Sequence, residues 1–420
     1  MCHDAAVRDR GFLTPPQTRR TAAPRLLAVS HPAVTSVNQE VYRELARRGW
    51  EVTIVLPSRW RHDYASAPLR PRPLPGLEGS LRPTPVVLPG RPQRHLYLAR
   101  CRALARRLQP DVVFVEADAY ALVATQWSLA LGGLGAPFGV QCAENIDRPL
   151  PAAVRRLRTR VLRRAAFVAA RSASAARLAR QWGARGEVGV APHSVPAWET
   201  PPERRREVFT VGYAGRLTPS KGLEDLLAAV RRLQAPVELL LLGNGELRDR
   251  LEGQAIPGSR VRVLDGLTHA EMPAGYAQLD VLVLPSRTTA TWKEQFGRVI
   301  VEALWCGVPV VGSDSGEIPW VIESTGGGTT YPEGDVEALA AELTALREDP
   351  GQRERLAATG RAAVERLFSV PAATDSLERL LLRAAGSVPA ARDEPADQDS
   401  RIASSNPRLP PLTSSSRLPR

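Results

Sequence analysis

The chain has only two lysines, Lys221 and Lys293, in 420 residues. Its positive charge is therefore almost all arginine, and 56 basic against 44 acidic residues leave a formal charge of +12. So little lysine disfavours a cofactor held as a lysine Schiff base, as in a pyridoxal phosphorylase. Cysteine is scarce too. Cys2, Cys101, Cys142 and Cys306 lack metal-ligand or redox spacing, so small apolar packers in a reducing compartment are expected. No stretch approaches 18 apolar residues, so no helix is expected to span a membrane. The first twenty residues have no apolar core of the secretory kind, and a cytoplasmic place is expected. No helix-turn-helix, zinc or stacking-aromatic pattern accompanies the arginines, so no nucleic-acid partner is expected. The charge suits phosphorylated substrates or anionic lipid, or reflects biased composition alone.

What is present is a βα rhythm that runs twice. The length allows two domains with sizeable cores. Residues 1–24 read as a disordered tail. Strands are expected at 25–30, 51–56, 86–88, 111–115, 138–142 and 166–169. Helices are expected at 38–48, 94–108, 120–131, 152–164 and 172–182. This is a doubly wound parallel domain over 25–195. The polar, proline-rich stretch 196–207 reads as a linker. The alternation restarts over 208–371, with strands at 208–213, 237–242, 261–264 and 280–284. Helices are expected there at 222–233, 246–254, 271–278, 296–306, 337–348 and 352–366. A last helix, 372–384, opens the segment 372–386, and 387–420 reads as a second disordered tail.

Two clusters in the second half carry chemistry. The strand at 280–284 runs into PSRTTATWKEQFGRVIVEALWCGVPVVGSDSGEIP, where seven residues separate Glu294 from Glu302. Were that span wholly helical, the two Cα atoms would be ~12 Å apart. A sugar joined to a nucleoside through two phosphates is of that length, with a carboxylate for each end and a helix start for the phosphates. Alone, such a pair is more often a solvated helix face. The second cluster is Gly215-Arg216-Leu217 followed by Lys221-Gly222, between a strand and a helix. Two cations five residues apart match the −2 of a diphosphate, although loop charges of no function look the same.

The order Pro285-Ser286, Glu294, Phe296-Gly297, Glu302-Ala303, Cys306-Gly307, Pro309-Val310-Val311, Gly316-Glu317-Ile318-Pro319 resembles the signature of the retaining family-four glycosyltransferases. GRLTPSKGLEDLL resembles that family's pyrophosphate segment, and Leu242-Gly243-Asn244-Gly245 its next turn. The resemblance covers about residues 25–385. It implies an α/β fold of the GT-B kind, two Rossmann-like domains facing a cleft, with the C-terminal helix crossing back. It implies a UDP- or GDP-linked sugar as donor and a glycan, glycolipid or small acceptor. It also implies that Arg216 and Lys221 bind the diphosphate, Glu294 the transferred hexose and Glu302 the ribose. Gly215, Gly243, Gly245, Phe296, Gly297 and Arg298 would offer backbone contacts, with Phe296 equally a packing residue. No Asp-x-Asp cluster lies between strands, so no metal is expected.

The first domain departs from the family pattern. Val34-Thr35-Ser36-Val37-Asn38 stands in place of a Gly-Gly pair, and Glu116 or Asp118 in place of a histidine. Glu116 is the candidate to take or hold an acceptor proton; Asp118 equally suits a helix cap. Glu144-Asn145 ends the next strand and is a further candidate. The arginines of 152–164 form a solvated face or a peripheral contact with an anionic membrane. The rival functions are a sugar-nucleotide epimerase of the same fold and an inactive binding subunit.

Overall fold

The computed structural model describes residues 23–61, 68–199, 208–233, 235–252, 254, 256 and 258–386. Residues 1–22 of the tail read at 1–24, the whole tail read at 387–420, and 200–207 of the linker lie outside the described residues, as does Cys2.

The first half contains β1 (Arg25–Ser30), α1 (Glu40–Arg47), β2 (Glu51–Pro57), β3 (Leu81–Thr84), β4 (Val86–Val87), β5 (Leu96–Tyr97) and α2 (Cys101–Leu108). It continues with β6 (Val112–Asp118), α3 (Leu122–Ala130), β7 (Phe138–Cys142), α4 (Ala152–Arg164), β8 (Phe167–Ala170), α5 (Ala173–Gln181) and β9 (Glu187–Val190). Seven strands form one parallel sheet in the order β3-β2-β1-β6-β7-β8-β9. Alternate residues of its strands face opposite sides. Leu27, Val29, Val113 and Val140 pack under α2–α5, while Leu26, Ala28, Ile54 and Phe114 pack under α1.

The second half contains β10 (Phe209–Ala214), α6 (Leu223–Arg232), β11 (Val237–Leu242), α7 (Arg248–Glu252), β12 (Arg260–Leu264), α8 (Met272–Tyr276) and β13 (Val281–Leu284). Then come α9 (Arg298–Trp305), β14 (Val310–Ser313), α10 (Ile318–Thr325), β15 (Gly328–Tyr331), α11 (Val336–Glu348), α12 (Pro350–Phe368) and α13 (Val370–Ala384). Its six-stranded parallel sheet has the order β12-β11-β10-β13-β14-β15. The fold is GT-B. The helix α13 crosses back onto the first domain, where Leu377, Leu380 and Leu381 are buried. Arg48 bonds Asp375 and Glu378, each at 2.6 Å, and the Trp50 indole donates to Glu378 at 2.7 Å.

Several elements differ from expectation. The single strand expected at 86–88 is a β4–β5 antiparallel hairpin, and β3 extends the main sheet instead. Pairing of Leu96–Tyr97 with Val86–Val87 delays the helix expected from Arg94 until Cys101. The helix expected from Asn38 begins as a 3-10 turn, Ser36–Gln39. The strands β9, β14 and β15 were not expected; each has four residues, too few for a period to emerge. Cys101, Cys142 and Cys306 are buried free thiols. Among the described residues no helix is long and apolar enough to cross a membrane.

Candidate active site

Each sheet reverses its strand order once, at β1/β6 and at β10/β13. Loops leaving the carboxyl ends of strands diverge at such a point and open a crevice. The second crevice holds both sequence clusters. Gly215 and Arg216 follow β10, and Ser286 follows β13.

The loop after β10 packs on the loop after β11. A Cβ on Gly243, whose φ is +149°, would lie 2.0 Å from the Gly215 carbonyl oxygen, so no side chain fits there. The Tyr213 hydroxyl donates to the Arg216 carbonyl at 2.7 Å, and the Leu217 amide donates to the Asn244 carbonyl at 2.9 Å. Gly245 lies in the same turn, against Leu217. These contacts explain the glycines by close backbone approach and leave Arg216 exposed at the strand end. Its guanidinium has no side-chain partner among the described residues.

Lys221 closes a 3-10 turn, Pro219–Lys221. Its ammonium lies 2.6 Å from Glu294 Oε2 and 4.5 Å from the centre of the Trp292 ring. The Ser286 hydroxyl donates to the same carboxylate oxygen at 2.9 Å. The group read as a phosphate ligand thus touches the group read as a sugar ligand. Ser286, passed over in the sequence, is fully buried and fixes that carboxylate, with its own carbonyl held by Ser313 at 2.6 Å.

Glu302 lies on the second turn of α9. It accepts from Tyr276 Oη at 2.7 Å and from Arg298 Nε at 2.9 Å, with His269 Nε2 at 3.3 Å. Burial opposes its charge, but Arg298, His269 and Tyr276 outweigh it and hold the carboxyl below its usual range. His269 packs against Trp198 with ring centroids 4.7 Å apart and the rings tilted by 45°. The sequence did not mark His269, Tyr276 or Trp198, because each reaches the site only through the fold.

The residues between the glutamates divide by task. Phe296 is buried against His193, Phe368 and Trp320, so its side chain is packing. Gly297 is left-handed, φ +72°, and caps α9 without a side-chain acceptor. The span from Glu294 to Glu302 is therefore part loop, not one helix. Arg298 also donates to Asn38 Oδ1 at 3.2 Å, which joins the second domain to the first.

The first domain brings its own carboxylates to the crevice. Glu116 accepts from Ser30 at 2.6 Å, Tyr42 at 2.7 Å and Arg171 at 2.8 Å. With both oxygens so engaged, it braces β1, α1 and the segment after β8 instead of lying open to an acceptor proton. Asp118 accepts from the Ala143 amide at 2.8 Å and does not cap α3, which begins after Ala121 without a side-chain cap. Glu144 pairs with Arg148 at 2.8 Å and accepts from Gln295 of the second domain at 3.1 Å. Burial, then the neighbouring Asp118, pushes its carboxyl up to about 7 against the pull of Arg148.

Two family models match the chain, one in each half. The description "Glycosyl transferases group 1" matches residues 196–363, and "Glycosyl transferase 4-like domain" matches residues 33–192. The 2-deoxystreptamine N-acetyl-D-glucosaminyltransferase of Streptomyces fradiae is 30% identical over 384 residues, 81% of this chain and 87% of that one. The chain belongs to the group 1 glycosyltransferases. This transferase is also 33% identical, over 160 residues, to a GDP-mannose-dependent phosphatidylinositol monomannoside mannosyltransferase of Corynebacterium glutamicum; the match covers 37% of this chain and 42% of that enzyme. Among solved structures, sucrose-phosphate synthase of Thermosynechococcus elongatus superposes with a TM-score of 0.66 at 19% identity, over 87% of this chain and all of that one. HepE of Anabaena, in complex with UDP and glucose, superposes at 0.65 and 18% identity, over 86% and all of the respective chains. At those identities the likeness shows the fold.

Proposed function

We propose that the transferase moves a hexose from a UDP- or GDP-linked donor to a hydroxyl of a glycan, a glycolipid or a small acceptor, with retention of anomeric configuration. One observation carries this: Lys221, Glu294 and Ser286 converge at the strand-order switch of the second sheet, where the loop bearing the exposed Arg216 also leaves β10. Arg216 and Lys221 take the diphosphate. Glu302, already held ionised, takes the ribose hydroxyls, and Glu294 takes the hexose. The N–H groups of Gly215, Gly243 and Gly245 are each bonded within their own domain, so it is the uncapped start of α9 after Gly297 that we assign to phosphate, where the helix dipole favours it.

The bond from the anomeric carbon to the diphosphate oxygen breaks, and its electrons go to that oxygen. Arg216 and Lys221 offset the charge as it builds. The acceptor oxygen attacks on the same face, and its proton passes to the departing diphosphate. Two cations suffice for a diphosphate, and among the described residues no three acidic, histidine or cysteine side chains gather as metal ligands. Turnover is therefore expected to persist in EDTA. Hydrolysis and transfer measured over a panel of nucleoside diphosphate sugars test the assignment. Release of free nucleoside diphosphate supports it, while epimerised donor as sole product, or no turnover of any donor, refutes it.

The helix α4 adds a place of action. Arg155, Arg156, Arg160, Arg163 and Arg164 are exposed, while Arg158 is buried over the Trp182 ring at 3.8 Å. No acidic residue occurs from 148 to 186. We assign this surface to peripheral contact with anionic lipid, at about 1 kcal/mol for each basic residue near the headgroups.

A further inference from the structure

The carboxylate assigned to the hexose is held within its own domain by Lys221 and Ser286, but the main chain of Glu294 is not held by that domain alone. The Glu294 carbonyl accepts from the Glu317 amide at 3.0 Å, within its domain. It also accepts from Asn145 Nδ2 at 2.7 Å, across the crevice and 149 residues away. The same Asn145 amide lies 3.4 Å from Glu317 Oε1. Gly316, φ +61°, allows this convergence; a Cβ there would lie 2.0 Å from the Glu294 carbonyl oxygen. Beside it, Gln295 donates to Glu144, the residue before Asn145 in the first domain. Asn145 is 4% exposed, and its own Oδ1 is buried without a partner among the described residues. A buried amide that uses only its N–H side is placed for what that side holds.

We infer that Asn145 is a positioning residue: from the acceptor domain it sets the main chain of Glu294, so the hexose grip forms only when the two domains are closed. The Glu144–Gln295 bond is a second tie of the same kind. The inference rests on the donor assignment above for Glu294 and deepens it. The nucleotide end uses neither of these two ties: Glu302 is held by Tyr276, His269 and Arg298, the last also bonded to Asn38 of the first domain, and the loops after β10 and β11 hold each other. Nucleoside diphosphate alone therefore needs neither tie, while the hexose needs both.

The test compares Asn145→Ala, the nearly isosteric Asn145→Asp, and Gln295→Met with wild type in the full chain. Affinities for UDP, GDP, UDP-glucose, UDP-N-acetylglucosamine and GDP-mannose are measured by calorimetry. Turnover of whichever donor wild type uses is measured beside them. The expected result is affinity for the nucleoside diphosphate within about twofold of wild type, with the extra affinity due to the hexose lost and kcat down about tenfold or more. Asn145→Asp is expected to be at least as impaired as Asn145→Ala, since it sets an acceptor against an acceptor. A purely structural role would weaken nucleotide and nucleotide sugar alike, and that outcome overturns the inference. So does wild-type behaviour in Asn145→Asp and Gln295→Met, which remain informative if Asn145→Ala does not fold. Wild type that binds none of the five ligands overturns the donor assignment itself, and the inference with it.

Discussion

Lys221 and Glu294 hold each other at 2.6 Å, with each side chain nearly buried. Neither charge is therefore spent on solvent, and a diphosphate sugar must divide them, the cation to the phosphates and the carboxylate to the ring. Lys221→Ala leaves Glu294 buried with Ser286 as its remaining side-chain donor. Removing one partner of a buried pair costs ~3–5 kcal/mol, so a lower melting temperature is expected together with loss of donor turnover. Glu294→Ala should abolish turnover as well. Calorimetric melts and donor assays on both variants check this, and rates equal to wild type would remove the site assignment.

Tyr276 reports on the ribose end. Its hydroxyl is one of three donors to Glu302, and a hydrogen bond to a charged group contributes about 1.5–3 kcal/mol. Tyr276→Phe leaves Arg298 and His269 in place. Because ribose contacts are the same before and during transfer, donor KM is expected to rise roughly tenfold with little change in kcat. A fall in kcat at constant KM would place Glu302 at the reacting end instead.

Glu144 gives the site a pH signature. Its carboxyl titrates at about 7 against a reference value of 4.5, through burial and Asp118, with Arg148 and Arg158 opposing. Between those values the folded chain keeps a proton that the unfolded chain releases. Stability attributable to this group therefore falls as pH rises from about 4.5 to about 7, and the penalty is complete above that. Glu144→Gln does not titrate. The melting temperature of this variant relative to wild type should move in its favour between pH 5 and pH 8. A constant difference across that range would contradict the assignment.

How far these features could be read in advance follows from range. The turn from Gly215 to Lys221 and the stretch from Glu294 to Glu302 are local, so spacing drew notice to them and the family resemblance gave them roles. Long, strongly periodic elements such as 152–164 and 337–348 were equally legible. The partners were not. His269 and Tyr276 reach Glu302 from 33 and 26 residues away, and Asn145 reaches Glu294 from the other domain. Glu116 shows the cost of a local view. As a lone carboxylate at a strand end it suits proton transfer, and only the fold reveals Ser30, Tyr42 and Arg171 around it. The excursion from 57 to 92 has prolines where a period should be, so β3 left no pattern to find, and of the hairpin only the strand at 86–88 was legible, its two-residue partner β5 being too short.

The arginines of α4 predict a behaviour separate from chemistry. Arg155, Arg156, Arg160 and Arg164 lie on exposed positions of one helix, and no acidic residue within the helix answers them. Arg158 is excluded from this set, since it is buried between Trp182 and Asp147 and would report on folding. At about 1 kcal/mol each, reversing three exposed charges, as in Arg155→Glu, Arg156→Glu and Arg160→Glu together, should remove most of any attraction to an anionic bilayer. Flotation with phosphatidylcholine vesicles, with and without 30% phosphatidylglycerol, measures it. Wild type should float with the anionic vesicles and release as salt shortens the Debye length. The triple variant should stay in the dense fraction yet hydrolyse donor at the wild-type rate, because α4 packs through Val161 and Leu162 into the core of the first sheet and, among the described residues, none of the three arginines bonds Lys221 or Glu294. Flotation that ignores lipid charge would refute the contact and leave the helix a solvated face.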